Sequence, residues 1–284
     1  MGRLRYCLPS DIVTALAVIT ASGSVSPDPA YGFPSLYDGL PSKPLKFTTT
    51  GPIRLVFDFG VAQRMDAFAM PNHNLDASSA CIVALNNANS WAAPTCVVAM
   101  PTGADQLDGH VASPWADFTT ASGYSTVGFR YLSLFVPVQT ANIKIGEAII
   151  MSHLRRFTHE PQFGGNKGAI RRYLENLRTE YGVVRVNRRR IKQRTFSFML
   201  KGGTIDFNAM QDLADDAGGN AVPFFITAND SIKTDGGLYA RLSDETAAKL
   251  MSQEEFFFLP SGTANLFIEN FPIDIEEVSR SLPL

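Results

Sequence analysis

Residues able to carry acid–base, nucleophilic or metal chemistry are few in this sequence and poorly spaced for it. The four histidines are His73, His110, His153 and His159. His153 and His159 stand six apart in a basic stretch, which is not a metal-ligand spacing. The three cysteines, Cys7, Cys81 and Cys96, are odd in number and form no C-x-x-C pair. They read as free buried thiols of a protein made in a reducing cytoplasm. Asp215-Asp216 and Glu276-Glu277 are neighbours in sequence, so their carboxylates point in different directions on a helix or a strand and make poor acid/base pairs. No nucleophile elbow, H-E-x-x-H, phosphate-binding P-loop or dinucleotide glycine pattern is present. Gly164-Gly165-Asn166-Lys167-Gly168 lacks the Gly-Lys-Ser/Thr ending of a phosphate cradle and reads as flexible linker. The expectation is a protein with no catalytic residues, no cofactor and no metal.

Binding chemistry is better represented. Asn72-His73-Asn74 is a polar triplet after an apolar run and Pro71. It reads either as a ligand-binding loop or, the favoured reading, as a turn whose side chains satisfy nearby backbone groups. Tyr31, Phe33, Tyr37, Trp91, Trp115 and Tyr124 fall in predicted loops. Rings beside polar side chains build sugar sites by stacking plus hydrogen bonding; rings that plug the ends of a sandwich are the simpler alternative. The candidate glycan-binding loops are therefore Tyr31, Phe33, Tyr37 and Asp38, with Asn72, His73 and Asn74.

Charge is unevenly placed. Net charge is −2, but Arg155 to Lys201 holds thirteen Lys/Arg against three acids, and Gly202 onward holds four against fourteen. Bulk electrostatics exclude nucleic acid as a specific ligand of the whole chain, and Arg188-Arg189-Arg190 lacks the aromatic interleaving of a single-strand binder. A basic face meeting an acidic one steers association and rejects wrong registers. The partner is a second copy of the chain or an acidic surface of the same copy. Arg171, Arg172, Arg188, Arg189, Arg190 and Arg194 are the candidate intersubunit contacts.

The elements that must position these residues follow from the apolar pattern. With 284 residues, 45% of them hydrophobic, the chain has material for about two cores. Short apolar runs between turn residues predict strands at Ile53 to Phe59 (ended by Gly60), Ala67 to Met70, Cys81 to Leu85, Cys96 to Met100, Phe129 to Val138 and Ile143 to Ile150, the pattern of a sandwich or barrel. Pro27 to Pro44 reads as a long loop. In the second half, strands are predicted within Tyr173 to Val186, Gln193 to Leu200, Pro223 to Thr227, Glu255 to Leu259 and Ala264 to Ile275. Two short helices are predicted, one capped by Asp206 and ended by Gly218-Gly219, one from Asp244 to Met251 capped by Ser243. The fold class is thus mainly β: a sandwich over 1–153, a linker over 154–168, and a β-rich domain over 169–284. The apolar run from Ile12 to Thr20 is too short to span a bilayer, and no signal peptide surrounds it.

Ala21-Ser22-Gly23-Ser24, Leu36-Tyr37-Asp38-Gly39, the Ile53 to Gly60 strand ending Asp-Phe-Gly, and Met65-Asp66-Ala67-Phe68 together resemble the opening of discoidin-like, galactose-binding-like β-sandwiches (jelly rolls). Phe59 stands where that family has Leu, and Phe47 is nearest to its usual tryptophan. The resemblance covers about residues 15 to 150 and implies either glycan or lipid binding or a structural role. Tyr181 to Arg185, Arg194 to Leu200, Asp206 to Met210 and Gly219 to Phe225 are similar to distal-tail and minor-tail proteins of long-tailed bacteriophages. That likeness implies a ring-forming, β-barrel-like virion component at the tail tip or baseplate. Such a component is made in the host cytoplasm and partnered by itself and by other tail proteins. The alternative is a carbohydrate-binding module that recognises host-surface glycan.

Overall fold

A computed structural model describes residues 4–22, 26–39, 43–76, 80–102, 113–157, 169–172, 175–178, 184–187, 191–219, 221–227, 237–243, 246–247, 250, 267–277 and 280–281. Among the described residues the protein is mainly β, with antiparallel sheets and one long helix. Strands from Val18 to Met151 build a sandwich. One layer is a five-stranded sheet in the order Val18–Ala21, Ile53–Gln63, Phe129–Val136, Cys81–Asn86, Cys96–Met100. The other is a three-stranded sheet of Ile149–Met151, Ala67–Ala69 and Trp115–Asp117. Period-two alternation sorts the faces. Leu55, Phe57, Val83, Leu85, Leu132 and Leu134 point into the core from the large sheet, where Phe68, Ala116 and Ile150 meet them from the small one.

The small sheet is buried on both faces. Ala67, Ala69, Trp115, Ile149 and Met151 point away from the sandwich core and form a second cluster with Cys7 and Phe225. In register, Ala69 lies between Ile149 and Trp115. The small alanines at the sheet centre leave room for the large rings beside them.

Cys7 and Phe225 belong to a further sheet whose path runs Arg155–Arg156, Arg5–Cys7, Phe224–Thr227, Gly237–Leu242, Phe267–Glu277, Ile191–Gly203, Ala169–Arg172, with Arg280–Ser281 also on Ile191–Gly203. The amino-terminal strand is therefore hydrogen-bonded within the sheet of the second half, Tyr6 facing Ile226 on one side and Arg155 on the other. Arg155–Arg156, inside the stretch read as linker, is a strand, whereas 158–168 lies outside the described residues. Helix Thr204–Asp216 buries Met210, Leu213 and Ala214, and Ala217 just beyond its end, into the second core with Phe224, Ile226 and Leu238. It begins two residues before the predicted Asp206 cap. It ends as predicted, with Gly218 and Gly219 both at positive φ and Gly219 N–H returning to the Ala214 carbonyl at 2.8 Å. Ser243 caps helical residues Thr246 and Ala247, its Oγ accepting the Thr246 N–H at 3.2 Å.

Several predicted bounds move. Ile53–Gln63 runs through Gly60, because a bulge between Asp58 and Gln63 absorbs the glycine at φ 72° while its N–H bonds Asp58 Oδ1. Ile143 to Ile150 is two strands, Lys144–Ile145 and Ile149–Met151, that join different sheets. Trp115, read as a loop aromatic, lies in a strand and is fully buried. Tyr124, also read as a loop aromatic, packs against the sandwich core and donates its hydroxyl to Asp66. Gly237–Leu242 escapes prediction, because its Gly-Leu-Tyr-Ala-Arg-Leu run shows weak alternation. The predicted strand from Glu255 to Leu259 lies outside the described residues.

Candidate functional site

The segment from Asn142 to Ala148 brings the two predicted glycan loops together. Ala148 N–H donates to the Leu36 carbonyl at 2.9 Å, Glu147 N–H to Pro71 at 3.2 Å, and Gly146 N–H to Asn72 at 2.6 Å. The Asn72 to Asn74 side chains are used largely in this junction. Asn74 accepts the Lys144 N–H at 2.7 Å and donates to the Asn142 carbonyl at 2.8 Å. His73 is buried, and its Nδ1 accepts the Leu75 N–H at 3.0 Å. Asn72 adopts φ 60°, a left-handed conformation that Asn tolerates better than most residues. This is the turn chemistry that the triplet predicted.

The Tyr31 to Asp38 loop divides its residues between support and display. Lys46 Nζ lies 3.4 Å from the Tyr31 ring centroid, a cation–π contact. Phe33 packs against the sandwich core. Pro34 and Ser35 lie in a short 3₁₀ turn, Phe33–Leu36, that presents Tyr37 and Asp38 to solvent. Tyr37 is 40% exposed.

Tyr37 stands at the mouth of a cavity of about 160 Å³ lined also by Thr14, Glu147, Val222, Pro223 and Tyr239. Glu147 is 2% exposed. Burial holds the Tyr239 phenol well above its ordinary value, and the negative charges of Glu147 and Asp38 add to that. The cleft is lined by two phenol rings, the buried Glu147 carboxyl and apolar Val222 and Pro223, with the positive charge of Arg241 partly offsetting the acids near Tyr239. Phenol rings beside polar groups suit a hydroxyl-bearing ring that stacks and hydrogen-bonds. Thr14 acts structurally: its Oγ1 donates to the Ala148 carbonyl at 2.6 Å and accepts the Ile150 N–H at 2.9 Å, fixing the cleft wall.

Of the residues lining the cavity, sequence reasoning singled out Tyr37 but not Glu147, Val222 or Tyr239; Asp38 adjoins Tyr37 without lining it. No local signal marks those three: Glu147 comes beside Tyr37 through the Ala148 N–H to Leu36 bond, and Val222 and Tyr239 through the sheet that joins both halves of the chain. Of the basic positions, Arg171, Arg172 and Arg194 fall on one antiparallel ladder, Arg171 facing Gln193, Arg172 facing Lys192 and Ile170 facing Arg194. Arg188, Arg189 and Arg190 lie outside the described residues. Among the described residues no cluster of His, Cys, Asp or Glu could hold a metal ion, and no helix is long and apolar enough to cross a membrane.

Fold and site define an antiparallel β-sandwich joined through its small sheet to an α+β unit, with a cleft at the junction. No family model and no curated protein matches the chain. Similar solved structures include chitosan-binding module 1 of the chitosanase/glucanase from Paenibacillus sp. IK-5, at 18% identity and TM-score 0.35, covering 49% of this chain and 97% of that one. The family 32 carbohydrate-binding module of C. perfringens NanJ, solved with galactose, is similar at 13% identity and TM-score 0.36, covering 51% and 98%. The lectin binding domain of lectinolysin with Lewis b is similar at 12% and 0.36, covering 48% and 92%.

Proposed function

We propose that this chain is a non-catalytic carbohydrate-binding protein that holds one neutral or amine-bearing sugar residue in the cleft between Tyr37 and Tyr239. The observation that carries the reading is the exposed Tyr37 ring at the mouth of a cavity lined by buried Glu147. A ring face for stacking stands there beside acceptors for sugar hydroxyls or an ammonium group. The test is calorimetric titration of the whole chain with galactose and glucosamine oligosaccharides. Saturable binding to one of them is expected, abolished by Val222→Arg, which places a long side chain at the cleft mouth. Absence of binding to both series would overturn the reading.

A second reading is self-association through a basic edge, as the ring-forming tail-tip expectation requires. Arg171, Arg172, Lys192 and Arg194 share a ladder at the end of the large sheet path, where a neighbouring copy could dock an acidic surface. Light scattering at low and high salt tests it. A ring-sized oligomer that loosens in high salt supports self-assembly through screened ion pairs, and a monomer at both salts counts against it.

A further inference from the structure

The outer face of the five-stranded sheet carries an arrangement that the cleft does not use. Its residues alternate with the core positions: Arg54, Val56 and Asp58 on one strand, Tyr131, Ser133 and Phe135 on the next, then Ile82, Ala84 and Asn86. In register, Phe135 has Arg54 on one side and Ile82 on the other. The guanidinium of Arg54 lies 5.1 Å from the Phe135 ring centroid and 5.6 Å from that of Trp91, which reaches over from the loop joining Cys81–Asn86 to Cys96–Met100. Arg54 Nη1 donates to Ser133 Oγ at 2.9 Å. Beneath lie the small buried side chains Ser133 and Ala84, and exposed Ile82 and Val97 extend the face as an apolar shelf.

Charge on this face is uncompensated at one point. Among the described residues no carboxylate lies within ion-pair distance of Arg54. Asp58, on the same strand and face, is taken by Arg130 through two hydrogen bonds of 2.8 and 3.0 Å. Desolvation lowers the Arg54 pKa, and no opposing charge raises it. One of its five N–H groups is used, and the rest keep the planar fork that matches a carboxylate. The two rings lie within cation–π distance of that guanidinium, and the remaining aromatic and aliphatic surface suits the flat apolar face of a ring.

We propose that this face is a second binding site, distinct from the Tyr37 cleft, for a carboxylate-bearing sugar residue of an acidic polysaccharide. Its carboxylate pairs with Arg54, and its ring rests on Trp91 and the Phe135–Ile82 surface. A phosphate backbone is a poorer match, because tracking one takes several cations along a groove, whereas here Arg130 is neutralised by Asp58.

The experiment is titration of the whole chain with trigalacturonate, its methyl ester, inorganic sulfate and single-stranded oligothymidylate. Trigalacturonate is expected to bind, weakening as salt is raised. Affinity should fall at least tenfold in Arg54→Gln and in Trp91→Ala, with unchanged affinity in Val222→Arg. Trp91 is on a partly exposed loop, so its variant reports on binding if Arg54→Gln perturbs packing. Equal binding of the methyl ester, full affinity in either Arg54→Gln or Trp91→Ala, or loss of binding in Val222→Arg would overturn the proposal. So would sulfate or oligothymidylate binding at least as tightly as trigalacturonate. The cleft reading stands or falls separately, on the neutral and amino sugars.

Discussion

The indole of Trp115 and the ring of Phe225 meet at 5.9 Å between centroids, inclined by 56°. One belongs to the small sheet of the sandwich and the other to the strand Phe224–Thr227 of the second sheet. Both are almost wholly buried. Beside them Arg5 Nη1, also from the second sheet, pairs with Asp117 Oδ2 at 3.0 Å. Trp115→Ala should therefore weaken the sandwich and its junction together. A loss of about 3–5 kcal/mol is expected for truncating a buried aromatic. Guanidinium denaturation followed by circular dichroism checks it, and a midpoint within experimental error of wild type would show that the contact contributes nothing.

That contact also marks where sequence reading succeeds and where it stops. The strands of the five-stranded sheet were legible because apolar residues alternate between turn residues, as in Cys96–Met100, whose predicted and observed bounds coincide. The Gly218-Gly219 stop and the Ser243 cap were legible because each is local chemistry. Trp115 was misplaced because its strand is three residues long and buried on both faces, which erases alternation and leaves only flanking Pro114 to suggest a loop. Of the cleft lining, only Tyr37 was among the residues singled out from the sequence, as a ring beside an acid. Glu147 and Tyr239 were not, because what unites them is the pairing of Arg5–Cys7 with Phe224–Thr227, a long-range event with no spacing signature.

Asp66 should make stability depend on pH in the acid range. Burial pushes its carboxyl up, but this is outweighed by hydrogen bonds from Arg64 at 2.8 and 2.9 Å, from the Tyr124 hydroxyl and from the Leu154 N–H at 3.1 Å, so the net shift is downward from 3.8. A folded-state pKa below the unfolded value contributes stability fully present above the unfolded pKa and lost as pH falls through the folded one. Asp66→Asn is expected to cost about 1–3 kcal/mol at neutral pH, the range for losing a buried charged hydrogen-bond partner. The gap between variant and wild type should narrow below about pH 4. Urea midpoints measured across the acid range check this, and a pH-independent gap would contradict it.

The thiols should be inert in the folded protein. All three are free and buried. Burial raises the Cys81 pKa to about 12 and lifts Cys96. Burial also raises Cys7, with nearby Asp11 adding to it. Thiolate is the reactive form, so alkylation by iodoacetamide at mildly alkaline pH should be negligible in buffer and complete in denaturant. Mass spectrometry reads the count directly, and rapid labelling of native protein would mean that at least one thiol is reachable.

Tyr37 offers the sharpest test of the cleft because it separates binding from folding. Its ring is among the more exposed large side chains, and the backbone around it is held by bonds that need no tyrosine, the Ala148 N–H to Leu36 carbonyl and the Tyr37 N–H to Pro34 carbonyl at 3.2 Å. Tyr37→Ala should thus leave stability within about 0.5 kcal/mol of wild type, as surface changes usually do. It should weaken binding of the neutral or amino sugar about tenfold, the equivalent of roughly 1.4 kcal/mol. Tyr37→Phe, which keeps the ring, should retain most of the affinity if stacking is the contribution, and behave like alanine if the hydroxyl is. Calorimetry on the two variants alongside thermal melts distinguishes these outcomes. Unchanged affinity in Tyr37→Ala would count against sugar stacking on this ring and against the cleft reading.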